Sequence, residues 1–268
     1  MIFGRDKKRK GDAADVEAES AAAEATDPTE GEEPADDADG AADGGSAGEA
    51  DLADLDGRDW RGAGPYDIAE VDDVESQENG PRIDLGSMIL TGVPGSELRL
   101  QVAEDTQQIV SAMLIIETIV EAPAGTKERV QSYSSALELG AYAAPRSGGL
   151  WTELREEIAE GATEAGGSVS LAEGPFGVEL RRLVPVTTPD GEEGYQPSRM
   201  WVAEGPRWLL RGIVYGQAAI EEDLDSPVVA DVLFAFRQVI IRRGDEAMAP
   251  GDLLPLTMPA DLVSDEEP

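Results

Sequence analysis

Residues 168–217 read SVSLAEGPFGVELRRLVPVTTPDGEEGYQPSRMWVAEGPRWLLRGIVYGQ, and this stretch decides the fold class. Within it, 168–172, 177–186, 198–203 and 206–217 carry the alternating apolar and β-branched residues of strands. Glu173-Gly174-Pro175, Pro189-Asp190-Gly191 and Glu204-Gly205-Pro206 stand between them. Turns this short leave no room for a crossover helix, so successive strands must pair antiparallel. Upstream, Leu150, Leu154, Ile158 and Ala162 recur every fourth residue, with Glu153, Glu156, Glu157 and Glu160 off that stripe and Gly166-Gly167 as a stop. That spacing predicts an amphipathic helix.

The same reading extends to both ends of the patterned region. Ile83, Leu85, Ser87 and Ile89 alternate with Asp84, Gly86 and Met88, as in one strand. Leu98, Leu100 and Val102 mark a half-buried strand, 109–120 a central one, and 134–144 another, with Leu137 and Leu139 on one side. Downstream, Ser226 before Pro227 is an N-cap and first-turn pair for a helix to about Arg237, burying Val228, Val232 and Phe236. A short strand at 239–242 and a Pro-rich extended arm at 248–263 follow. The expected fold is α+β: a mainly antiparallel sheet of about seven to nine strands with two principal helices, preceded by a long disordered acidic tail.

The chain has 268 residues, no His, no Cys and a formal net charge of -35. Without His or Cys there is no Ser-His-Asp or Cys-His nucleophile system, no imidazole or thiolate metal site and no disulfide. Such negative charge repels nucleic-acid phosphates, so no nucleic-acid partner is expected. Residues 11–80 hold 24 Asp and Glu against two Arg and contain no long apolar run, too little to offset the entropy of ordering. No stretch reaches the roughly 20 apolar residues of a membrane span. The basic block Arg5, Lys7, Lys8, Arg9 and Lys10 follows the apolar Ile2 and Phe3 instead of preceding an apolar core, unlike a signal peptide. The cytoplasm is the expected compartment.

The expected layout is a basic tip at 1–10, a disordered acidic tail at 11–50, an acidic arm with apolar anchors at 51–80, one globular domain at 81–263 and an acidic end at 264–268. The tip can touch an anionic membrane surface or fold back on its own acidic tail, the simpler reading. In the arm, Leu52, Leu55, Trp60, Tyr66, Ile68 and Val71 lie among acids. They fit either a motif for a protein partner or a strap on the chain's own domain. The strap benefits from high effective concentration.

Three constellations bear on chemistry. The turn Arg146, Ser147, Gly148 and Gly149 opens the first helix, where free amides and the helix dipole favour an anion. It is no P-loop, since no Lys follows, and a plain turn with Ser147 near the cap is the simpler alternative. Arg181, Arg182, Arg199, Arg207 and Arg211 fall on adjacent expected strands. Arg207 and Arg211 share a face by the two-residue period, giving a guanidinium fork for carboxylate or phosphate, against which stands cross-strand pairing with Glu179. Trp151, Trp201 and Trp208 read as packing residues before a ligand platform. If a ligand site exists, it is expected where the turn at 146–149 approaches Arg207 and Arg211. No catalytic residue, metal site or cofactor is assigned, because no pair among so many carboxylates has a distinguishing spacing.

Several segments together carry a resemblance. They are Gly64-Pro65-Tyr66-Asp67, Arg82-Ile83-Asp84-Leu85-Gly86, Ala143-Ala144-Pro145-Arg146-Ser147-Gly148-Gly149-Leu150-Trp151, Glu173-Gly174-Pro175-Phe176-Gly177, Gly205-Pro206-Arg207-Trp208-Leu209-Leu210-Arg211-Gly212 and Arg243-Gly244-Asp245-Glu246-Ala247-Met248-Ala249-Pro250. Over roughly residues 64–260 the chain resembles a family of actinobacterial proteins catalogued only as a domain of unknown function. The resemblance implies a cytoplasmic protein with a basic start, a variable acidic tail and one domain. It carries over no activity and no functional residues. The function expected on these grounds is a non-enzymatic interaction or regulatory module. The alternatives are a small-anion or phosphometabolite binder, or a hydrolase or transferase using carboxylates.

Overall fold

The protein is described by a computed structural model covering residues 54–122, 129–187 and 191–259. The expected tip, acidic tail and acidic C-terminal end lie outside these residues. Three short strands come first: β1 (Tyr66–Asp67), β2 (Arg82–Asp84) and β3 (Met88–Thr91). A meander of β4 (Glu97–Val102), β5 (Ile109–Glu121) and β6 (Val130–Ala143) follows, then helix α1 (Leu150–Glu164). A second meander runs through β7 (Ser168–Gly174), β8 (Gly177–Thr187), β9 (Glu193–Gly205) and β10 (Trp208–Gly216). The chain closes with α2 (Gln217–Ile220), α3 (Pro227–Arg237) and β11 (Ile240–Ile241).

The two meanders join because β10 pairs with β6, giving a seven-stranded sheet of order β4-β5-β6-β10-β9-β8-β7. Every pair in it is antiparallel, as the short turns require. A smaller sheet of order β1-β11-β3-β2 stands beside it, its β1–β11 pair parallel. In the large sheet, alternation sends Leu137, Leu139, Trp201, Leu210 and Val214 to one face under α3. Leu180, Met200, Val202, Leu209 and Ile213 go to the other face under α1. Phe236 of α3 lies 4.6 Å from Phe176 and meets Trp201 edge-on at 6.0 Å, so aromatic rings fasten this helix to the sheet.

Both principal helices, the seven strands and the α+β class follow the expectations from sequence. Four local features differ. Residues 83–89 are not one strand: Gly86 adopts a left-handed φ of 82°, its amide donates to Asp84 Oδ1 at 2.8 Å, and a tight hairpin separates β2 from β3. Ser226 precedes α3 as expected, yet its hydroxyl makes no capping bond. Arg207 sits at φ 64° in the turn ahead of β10, not on the strand. The four-residue α2 has too few apolar positions to show a helical period. The C-terminal arm turns at Pro250-Gly251, where Gly251 has a φ of 90°, and then runs along the domain with Leu254 and Leu256 buried and Leu253 bridged to Tyr142.

Candidate functional site

Helix α1 is where the sequence placed an anion. Its first residue follows Gly149, whose φ of 85° lets the chain turn from the end of β6 into the helix. The amides of Gly149 and Trp151 both donate to the carboxylate of Glu204, each at 2.7 Å. The anion held by this helix start is thus the chain's own Glu204, and Ser147 does not cap it. Arg146 and Ser147 point to solvent, and Gly148 packs near Glu204. Arg207 uses its carbonyl to accept from the Ala144 amide at 3.0 Å and from Arg243 Nε at 3.1 Å. Because Arg207 lies in a left-handed turn, it does not share a strand face with Arg211, and the expected fork of the two is not formed.

The remaining arginines divide by what they meet. On the α3 face, Glu179 is buried and accepts from Arg181 Nε at 2.7 Å, Arg199 Nη2 at 2.9 Å and Trp201 Nε1 at 2.8 Å. This is the cross-strand ion pairing that stood as the alternative to a ligand fork. Trp151 and Trp208 are likewise buried, with their indole N–H groups on Val178 O and Asp67 Oδ2. On the α1 face, Arg155 is buried beneath the arm, where Asp56 holds it through bonds of 2.5 and 2.6 Å. Leu55 is buried alongside, and Trp60 donates to its carbonyl at 2.8 Å. Further along, Arg61 lies 5.2 Å from the Trp208 ring centroid and pairs with Glu70 at 2.8 Å. The arm therefore straps the domain through Leu55, Asp56, Trp60 and Asp67.

Arg211 and Arg182 are different. Both are half-buried on the α1 face, and each has a buried Nε without a hydrogen-bond partner. Among the described residues no carboxylate forms an ion pair with either. Arg211 stacks 5.1 Å from the Tyr142 ring centroid. The ring lies over Gly140, where a Cβ would come within 2.9 Å of the Tyr142 hydroxyl, so a residue with no side chain makes room for the phenol. Burial pushes the Tyr142 phenol above its ordinary pKa, opposed by Arg211 and aided by Glu138. Burial also raises Tyr215, with Glu138 adding to it, and lowers Arg182. At neutral pH both phenols are therefore protonated donors and neither is a base.

Arg211, Tyr142, Leu209 and Val202 of the sheet meet Trp151, Leu154, Glu157 and Ile158 of α1 around a cleft of about 380 Å³. Sequence periodicity brings Arg211 and α1 into play, but no local pattern marks Tyr142 and Gly140 as a pair. Only the β6–β10 register, Arg211 opposite Gly140, brings them together. A second hollow of about 340 Å³ lies between the β7–β9 strand ends and α2, lined by Ser168, Ser170, Arg181, Arg182 and Arg199; Glu179 pairs with Arg181 and Arg199, and Glu221 and Glu222 line the same hollow as Arg182. Among the described residues no group of three or more carboxylates converges as metal ligands would, and no helix is long and apolar enough to cross a membrane.

No curated protein and no solved structure matches this chain. A family model does match, over residues 64–265, three quarters of the sequence and the whole of the cleft. The chain thus belongs to the family described as "Protein of unknown function (DUF3710)".

Proposed function

We propose that the domain is a non-catalytic binding module whose cleft between α1 and β10 takes a small anionic molecule. One observation carries this reading: Arg211 faces a mostly apolar cleft of about 380 Å³ with no carboxylate partner among the described residues, in a chain of net charge -35. A half-buried guanidinium is costly to leave unpaired, and other buried arginines, Arg155 and Arg199, have acids against them. The cleft volume falls in the range of small-molecule sites, and a few polar groups on apolar walls are their usual lining. Binding is favoured over turnover because the phenols beside Arg211 stay protonated and the chain has no His or Cys. A protein partner recruited by the arm is less well supported, since Leu55, Trp60 and Asp67 are spent on the chain's own domain. The expected layout of arm and domain is kept, and the cytoplasm is its compartment, as nothing in a cysteine-free chain calls for an oxidising one.

Thermal denaturation of the full chain against a panel of small carboxylates and phosphates tests this. A ligand at 100 times its Kd adds about 2.7 kcal/mol of stability. Wild type gains that shift with at least one anion, and Arg211→Ala loses it. A panel in which no anion distinguishes the two proteins overturns the proposal.

A further inference from the structure

The chemistry of the cleft narrows the ligand, on the reading that the cleft binds an anion at all. Its walls are apolar on both sides, with Trp151, Leu154 and Ile158 from α1 facing Leu209 and Val202 from the sheet. At about 30 Å³ for each water-sized group, the space of about 380 Å³ holds roughly a dozen non-hydrogen atoms. Most of those atoms must be carbon, because a polar body would lose its water against walls that return few hydrogen bonds. Two of the lining residues, Trp151 and Tyr142, are flat, and offset or edge-on contact with them favours an aromatic body over a branched one.

The charge of the head group follows from the same inventory. Among the described residues Arg211 is the one cation lining the cleft, and Glu157 lines it too. Glu138 is near enough to act on Tyr142, Tyr215 and Arg182. Arg182, the other unpaired guanidinium of this face, acts on Arg211 but lines the neighbouring hollow, so a dianion in the cleft would meet these carboxylates with one lining guanidinium to answer it. A monoanion balances Arg211 and leaves the acids at a distance. The planar fork of a guanidinium matches the two oxygens of a carboxylate, and the protonated Tyr142 hydroxyl is a further donor beside it. We infer that the cleft binds an aromatic monocarboxylate, its head group on Arg211 and Tyr142 and its ring between α1 and the sheet.

Three probes with related bodies separate the possibilities on the full chain: 3-phenylpropionate, its neutral amide, and phenyl phosphate, a dianion at about pH 7.5. Dissociation constants from calorimetry are the readout. The carboxylate binds at least about tenfold more tightly than either of the others, and Arg211→Gln removes about tenfold or more of that affinity, as expected for a charge-assisted bond. Tyr142→Leu weakens it as well, and comparison of the probes on wild type stands whether or not the variants fold. If phenyl phosphate binds more tightly and depends on Arg211, the carboxylate assignment falls while the anion-binding reading survives. If the amide binds as well as the carboxylate, or none of the three binds, the aromatic carboxylate assignment falls, and the anion-binding reading falls with it only if the wider panel of small anions also fails to distinguish wild type from Arg211→Ala.

Discussion

Glu179 and Arg211 lie on opposite faces of the same sheet and show what a buried charge needs. Glu179 has side-chain exposure of 1%, yet two arginines and an indole N–H satisfy it, and Arg199 at 2% shares its burial. Removing the carboxylate leaves Arg199 buried and unanswered, so Glu179→Ala is expected to destabilise the protein by about 3–5 kcal/mol. Replacing Glu179 and Arg199 together by Leu and Met recovers most of that loss, because the isolated charge is then gone. Equilibrium denaturation in urea reads both. A small loss for the single variant would mean that water reaches Arg199. Arg211 has no such arrangement and, unlike Arg182 and Arg237, whose Nε atoms also lack partners, it lines the apolar cleft under α1, which is why it marks the candidate site. The sequence presents all these arginines alike, since a two-residue period assigns faces but says nothing of which acid stands across the strand.

Among the elements, α1 and the arm depend on residues distant in sequence. The apolar stripe of α1 was legible, as four positions at helical spacing and a double glycine stop leave little choice. Its N-terminal partner was not, because Glu204 comes from the end of β9, more than fifty residues away. The arm showed apolar anchors but not its ionic ones, since Asp56 gains meaning only when β-sheet packing brings Arg155 beneath it. At the arm's far end, the hydrogen bonds from Arg61 hold the Glu70 carboxyl below its usual pKa, with the Asp67 amide assisting. A depressed carboxylate stabilises the folded state above its unfolded pKa, and that contribution fades as the pH falls through the folded value. The stability gap between wild type and Glu70→Gln is therefore widest near neutrality, at most about 1 kcal/mol because solvent screens the pair, and closes as the pH falls below the ordinary carboxylate range. Melting temperatures of the two proteins across that range check it, and a gap that widens on acidification would contradict the pairing.

At the largest scale, the described residues form two meanders joined edge to edge, with helices on opposite faces of the large sheet. Strand number, antiparallel pairing and the two principal helices could be read from periodicity and turns. The junction could not, because β6 and β10 are separated by α1 and three strands, and nothing local in either declares the other as partner. The cleft is a product of that junction: Tyr142 and Gly140 come from one meander, Arg211 and Leu209 from the other, and α1 from the link between them. The four tryptophan indole N–H signals report on this arrangement directly. Trp151 lines the cleft, whereas Trp201 and Trp208 are buried on the α3 face against Glu179 and Asp67. In a nitrogen–proton correlation spectrum of the full chain titrated with 3-phenylpropionate, the Trp151 signal should move to saturation while those of Trp201 and Trp208 stay in place. A titration that leaves Trp151 unmoved, or that shifts Trp201 or Trp208 instead, would contradict a binding site between α1 and β10.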